Sequence, residues 1–228
     1  MLRLSPRTEW PLWGILGVMF VIVAVNWHAV PDQMPVHWGL SGQPDRWGGR
    51  AEGLLLLPCV AVGLYLILLL APRIDPGRAN YVSFATSYAA IRFVLLLVLL
   101  GVQVATILAA RGVPIDISRI VPLLVGALMA FLGSVFSRLR PNWFIGIRTP
   151  WTLSSKRSWD ETHHLGGWVF IILGLLLMST ALVRATWYLI AALAAIGAGI
   201  LLLVVYSYVV WSRDPDKTAP AGTMVTRE

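Results

Sequence analysis

The sequence predicts an all-α integral membrane protein, a six-transmembrane-helix bundle with both termini on the cytoplasmic side. Three observations carry that prediction. Of 228 residues, 57% are hydrophobic and 13% charged, against about 25% charged in an ordinary soluble domain. The apolar residues fall in runs long enough to cross a bilayer, which takes roughly 20 residues in a helix. The basic residues also segregate between alternate connections, as the positive-inside rule requires.

The first run is Trp10–Val30, uncharged after Glu9. It is longer than a signal-peptide core, and no small-residue cleavage site follows it, so it is assigned as a span. The second run, Gly53–Ala71, is uncharged and holds the single cysteine, Cys59, which can form no intrachain disulfide. The third is Phe93–Ala110, entered through Tyr81–Arg92. Arg92 is expected to snorkel to the surface, or else to lie deeper and serve a function. Ile120–Phe136 is the fourth run and the shortest. Leu165–Trp211, 47 residues broken only by Arg184, is too long for one crossing and divides into two helices at a turn near Arg184–Trp187. Ala191, Ala195 and Gly199 form a small-residue stripe on the last helix, suited to close helix packing.

With the N-terminus inside, the inner segments hold 13 basic residues (Arg3, Arg7, Arg73, Arg78, Arg92, Arg138, Arg140, Arg148, Lys156, Arg157, Arg213, Lys217, Arg227). The outer segments hold five (Arg46, Arg50, Arg111, Arg119, Arg184). This bias explains the net charge of +7 without direct nucleic-acid binding. Residues 1–211 make a single membrane domain, and 212–228 a cytoplasmic tail expected to be disordered.

Two connections stand out. The outer loop 31–52 is rich in Pro, Gly and Trp and is expected to be a turn-rich, non-helical structure. The inner loop 137–163 interleaves Trp143, Phe144, Ile145, Ile147 and Trp151 with Arg148, Lys156 and Arg157. That pattern suits a segment lying on the inner membrane surface, rings toward lipid and charges toward acidic headgroups. Pro141 and Pro150 exclude one continuous helix there.

The inner-loop stretch NWFIGIRTPWTL (Asn142–Leu153), followed by Trp159 and His163, resembles the signature of the SdpI family. Met34–Trp38 and Gly42–Trp47 in the outer loop are similar to the N-terminal module of the same family. One position departs: His164 follows His163 where a basic residue is expected. The resemblance implies a six-helix protein of the bacterial cytoplasmic membrane that gives immunity to a secreted peptide toxin of the SdpC type. It also implies, as a possible second activity, a receptor holding a cytoplasmic repressor of the SdpR type. Carried over, the signature marks Asn142, Gly146, Arg148, Thr149, Pro150, Trp151, Trp159 and His163 for partner binding or a conformational switch. It marks Pro35, His37, Gly42, Asp45 and Trp47 for toxin contact or loop structure. Asn142, Gly146, Thr149 and Pro150 suit an architectural role, whereas Arg148 suits either a partner contact or a lipid phosphate.

Asp160, His163 and His164 share one helix face at i, i+3 and i+4, a spacing that admits a metal. No partner cluster completes such a site, so neither metal nor cofactor is assigned. Catalytic motifs are absent, which favours a binding module over an enzyme. The alternative of another class is a small-solute transporter or channel. The apparent lack of ionisable residues deep in the spans counts against it.

Overall fold

The computed structural model describes residues 6–183 and 185–218. Arg3, Arg184, Arg227 and the tail beyond Thr218 lie outside the described residues. Six helices are long and apolar enough to span a membrane: α1 (Pro6–Asn26), α2 (Arg50–Ile74), α3 (Ala85–Ala110), α4 (Ile117–Phe136), α6 (Lys156–Ser179) and α7 (Thr186–Ser212). Between them lie strands β1 (Gln33–Trp38) and β2 (Pro44–Gly49), a 3-10 turn (Arg78–Val82) and the short helix α5 (Pro150–Leu153). Helices satisfy their own backbone groups, the only solution open to a single segment in lipid.

The long C-terminal run does divide in two. α6 stops at Ser179 and α7 starts at Thr186, so the turn lies slightly before the expected one. The outer loop is non-helical as expected, but the structure adds what its composition did not reveal. It is an antiparallel hairpin, with register irregularities on either side of His37.

The helices form two groups. α1, α2 and α3 carry the hairpin, and α4, α6 and α7 carry the signature loop; α3 packs on α4 and joins them. The closest helix approach is α4 on α6. A Cβ added to Gly126, Gly133, Gly167 or Gly174 would stand 2.5–2.9 Å from a carbonyl oxygen of the facing helix. Absence of side chains there lets the two backbones touch, the usual device where lipid supplies no hydrophobic drive between helices. The stripe on α7 does less. Ala191 is exposed, Ala195 is half-buried, and Gly199 lies close to Leu173 of α6. α7 instead presents apolar side chains such as Leu201, Leu202 and Val205 outward.

The N-termini of α1, α3 and α6 and the C-termini of α2, α4 and α7 lie at one end, here the basic end, and the hairpin covers the other. An aromatic core closes the basic end: Tyr81, Phe84, Tyr88, Phe136 and Trp159 pack with Leu68, Ile91 and Leu139. Met34, beneath the hairpin, is fully buried and lies against Gly53 of α2. Of the C-terminal tail, residues 212–218 are described. They fold back, with Asp214 accepting from the Ser155 hydroxyl and the Thr218 amide donating to the Ser154 carbonyl.

Candidate functional site

The signature loop folds around its own polar side chains. Asn142 is 1% exposed and uses every hydrogen-bonding position it has. Its Oδ1 accepts from the amides of Phe144 (2.9 Å) and Ile145 (2.7 Å), and its Nδ2 donates to the carbonyls of Arg140 (2.9 Å) and Ile145 (3.0 Å). That arrangement replaces a turn of secondary structure with one side chain.

Gly146 follows with φ +110°, a conformation that glycine reaches without strain. A Cβ there would also collide with the His163 imidazole. The chain can therefore lay the Ile147 amide on that ring: it donates to Nε2 at 2.9 Å. Nε2 must then hold the lone pair, so Nδ1 carries the hydrogen and donates it to the Trp159 carbonyl at 2.8 Å. Trp159 is fully buried, stacks on His163 at 4.0 Å between centroids, and donates its indole N–H to the Leu139 carbonyl at 3.1 Å.

Thr149 and Thr152 form a capping box that starts α5, with Pro150 at its first position. Thr149 also reaches Ser207 of α7 at 3.0 Å, and Ser158 donates to the Ser207 carbonyl at 2.8 Å. Trp151 is half-buried, edge-on to Tyr208 at 5.2 Å. Arg148 is different: its guanidinium donates to the Trp143 carbonyl and otherwise stays exposed. The structure thus gathers all eight signature residues at one end, seven of them in packing or hydrogen bonds and one with a charged head in the open.

A residue that sequence reasoning passed over holds this loop to the other helix group. Asp75, at the end of α2, is fully buried. It accepts from the Gly77 amide (2.6 Å), the Tyr81 hydroxyl (2.7 Å) and the Trp143 amide (2.9 Å). Burial, with the adjoining carboxylate second, pushes the Tyr81 phenol well above its ordinary range, so it remains a donor. Asn80 adds a bond to the Pro141 carbonyl at 2.7 Å. The signal in the sequence was a lone acid before a Pro-Gly turn.

At the far end, His37 and Asp45 face each other across the hairpin at 2.5 Å. Trp47 stands opposite Pro35 and is exposed. Gly42, with φ +78°, lets the hairpin tip rest on Ser118 of α4. All five marked residues therefore lie in one small hairpin.

Residues 138–207 match the model of the SdpI/YfhL protein family, and residues 14–62 match a domain of unknown function (DUF1648). The chain is 20% identical over 194 residues to the Immunity protein SdpI of Bacillus subtilis (strain 168), covering 85% of this chain and 91% of that protein. The family match and this relative together support an SdpI-family assignment. An uncharacterized membrane protein, YbgB, of the same organism is 31% identical over 51 residues, 22% of this chain and 56% of that one. No solved structure matches. The family region begins just after α4 and takes in the Asn142 turn, α5, α6 and most of α7. The DUF1648 match spans most of α1, the hairpin and half of α2.

Two further features of this chain escaped the sequence reading. Arg92 does not snorkel. It is 2% exposed and makes a two-pronged ion pair with Glu9 of α1, 3% exposed, at 2.8 and 2.6 Å. Its guanidinium lies 5.5 and 5.7 Å from the ring centroids of Tyr65 and Tyr88. The available signal was one acid and one base at the heads of two otherwise uncharged runs. The expected lack of buried ionisable groups is corrected accordingly.

The second is a cleft of about 460 Å³ beneath the hairpin. Leu56 of α2, Val102 of α3, Val121 of α4, Leu177 of α6 and Leu193 of α7 wall it, so both helix groups contribute. A polar cavity of about 220 Å³ adjoins it through Leu40, Ser118 and Leu189, and Arg119, Asp116 and Thr186 line it.

Asp160 pairs with Lys156 at 2.5 Å, and both nitrogens of His163 are engaged. Among the described residues no group of three or more His, Cys, Asp or Glu side chains is placed to hold a metal.

Proposed function

We propose that this multi-pass membrane protein is an immunity protein, one that protects a bacterium from a secreted peptide toxin of the SdpC type. The observation that carries this is similarity to the Immunity protein SdpI along 91% of that protein's length. The proposal places the chain in the cytoplasmic membrane, basic end inside, as the 13-to-five partition of basic residues supports. The hairpin and cleft then face outward, where a secreted peptide arrives.

The two helix groups are clasped at the basic end by Asp75, Asn80 and the aromatic core, and separated at the other end by the cleft. An apolar segment of toxin in that cleft would bias the angle between the groups. It can do so only by binding one arrangement better than the other. A receptor role toward an SdpR-type repressor would use the same bias, read out at the signature loop through Arg148. The chain acts here as a binding module, not an enzyme.

The test is survival. The chain is expressed in a toxin-sensitive bacterium lacking its own immunity gene and challenged with an SdpC-type peptide. Protection is expected, and Val121→Trp, which fills the cleft, is expected to abolish it at equal membrane abundance. A correctly inserted chain that fails to protect overturns the proposal for that toxin. The Glu9–Arg92 pair favours one other reading, a small-solute transporter or channel, because ionisable groups inside spans commonly mark transport paths. Solute flux in proteoliposomes, lost in Glu9→Gln, tests it.

A further inference from the structure

Arg73, Arg78, Arg138, Arg140 and Arg148 are all exposed at the basic end, and none has a carboxylate partner among the described residues. Lys156 and Arg157, at the same end, are instead neutralised by Asp160 and Glu161. The unpaired arginines sit on two stretches that touch. Gly77 abuts Pro141 and Asn142, and Asn80 bonds the Pro141 carbonyl, which sets Arg78 and Arg140 beside the same junction. The acid at this junction, Asp75, is fully buried and holds three hydrogen bonds, so it cannot turn outward to neutralise them.

Apolar side chains are exposed among these arginines: Ile74 at 64%, Val82 at 57% and Trp143 at 46%. Ile74 and Val82 stand where α2 and the following 3-10 turn reach the end of the span, and Trp143 lies on the loop bonded to Asp75 between them. Unpaired guanidinium groups interleaved with outward apolar groups, at the level where the helices end, match a headgroup above an acyl chain better than an acidic protein surface. Guanidinium also grips phosphate oxygens in pairs.

We propose that this rim is a binding site for anionic phospholipid, with Arg73, Arg78 and Arg140 on the phosphate and Ile74, Val82 and Trp143 at the acyl boundary. The site is independent of the immunity function. The clasp between the helix groups lies directly beneath it, so a bound headgroup bridging Arg78 and Arg140 would also brace that junction.

The experiment titrates the full chain in detergent with phosphatidylglycerol or phosphatidylcholine and counts bound lipid by native mass spectrometry. Phosphatidylglycerol is expected to bind preferentially. The variant Arg73→Gln/Arg78→Gln/Arg140→Gln is expected to lose about a hundredfold of that preference, taking about fivefold for each of the three basic residues at an anionic surface. Lys156→Gln/Arg157→Gln is the control and is expected to keep it. Equal retention of the two lipids overturns the site, as does a preference that survives in the triple variant or falls equally in the control. If the triple variant does not fold, as judged by circular dichroism, Arg78→Gln and Arg140→Gln are read singly, each expected to lose about fivefold.

Discussion

Glu9→Gln removes the negative member of a pair enclosed between α1 and α3. Both partners are nearly inaccessible, and two hydrogen bonds of 2.8 and 2.6 Å join them. Two unit charges about 4 Å apart attract by about 4 kcal/mol at an effective dielectric of about 20. Breaking a buried pair from one side typically costs about 3–5 kcal/mol, because the survivor is left charged and unpaired. For a chain of this size about 2–4 °C accompanies each kcal/mol, so the thermal midpoint should fall by roughly 6–20 °C. Arg92→Met should do similar damage. The double variant should be much less damaged than the sum of the singles, leaving a coupling energy of about 3 kcal/mol. Far-ultraviolet circular dichroism of the three variants in one detergent measures all of this. Singles within about 1 kcal/mol of the unaltered chain would refute the reasoning. So would an additive double variant, since the pair would then be a wet surface contact.

Three other outcomes are expected. Asp75→Ala orphans the Gly77 and Trp143 amides and the Tyr81 hydroxyl, at about 1–3 kcal/mol for each group left buried and unpaired; limited proteolysis should then cut within 137–149, where the unaltered chain resists. Gly146→Ala combines a left-handed backbone with a collision on His163, and should lower the thermal midpoint by the equivalent of about 1–3 kcal/mol or more, together with membrane abundance. Chiefly through the Ser155 hydroxyl, Asp214 has its carboxyl held below the usual carboxylate range. Its folded pKa being the lower, its contribution is complete above the unfolded value of about 4 and fades as pH falls through the folded one. Thermal midpoints across that acid range should therefore flatten in Ser155→Ala.

Much of the signature loop was legible because its residues solve local problems. An asparagine that bonds amides two and three residues on, a threonine that caps the next turn and a proline at a helix start all act within a few positions. The signature marked His163, but residue chemistry alone showed it only as one of three titratable residues on a helix face. The structure shows that its partner is a backbone amide 16 residues earlier, and that Gly146 is small to admit it. Asp160 and His164 share its face in sequence but not its role, since Asp160 pairs with Lys156 and His164 faces outward. The hairpin was read as turns because short, Gly- and Pro-broken strands lack the alternation that marks a longer one.

The six spans followed from the sequence alone, since length, apolarity and charge are sums over consecutive residues and need no knowledge of neighbours. The partition of basic residues between the two ends is a sum of the same kind. Only the tertiary structure decided which helices adjoin. Glu9 meets Arg92 across 83 positions and Asp75 meets Trp143 across 68, while the cleft takes walls from five helices and the hairpin. Each of these depends on how backbones approach, and between α4 and α6 that approach is set by glycines whose significance is invisible until the facing carbonyls are in place.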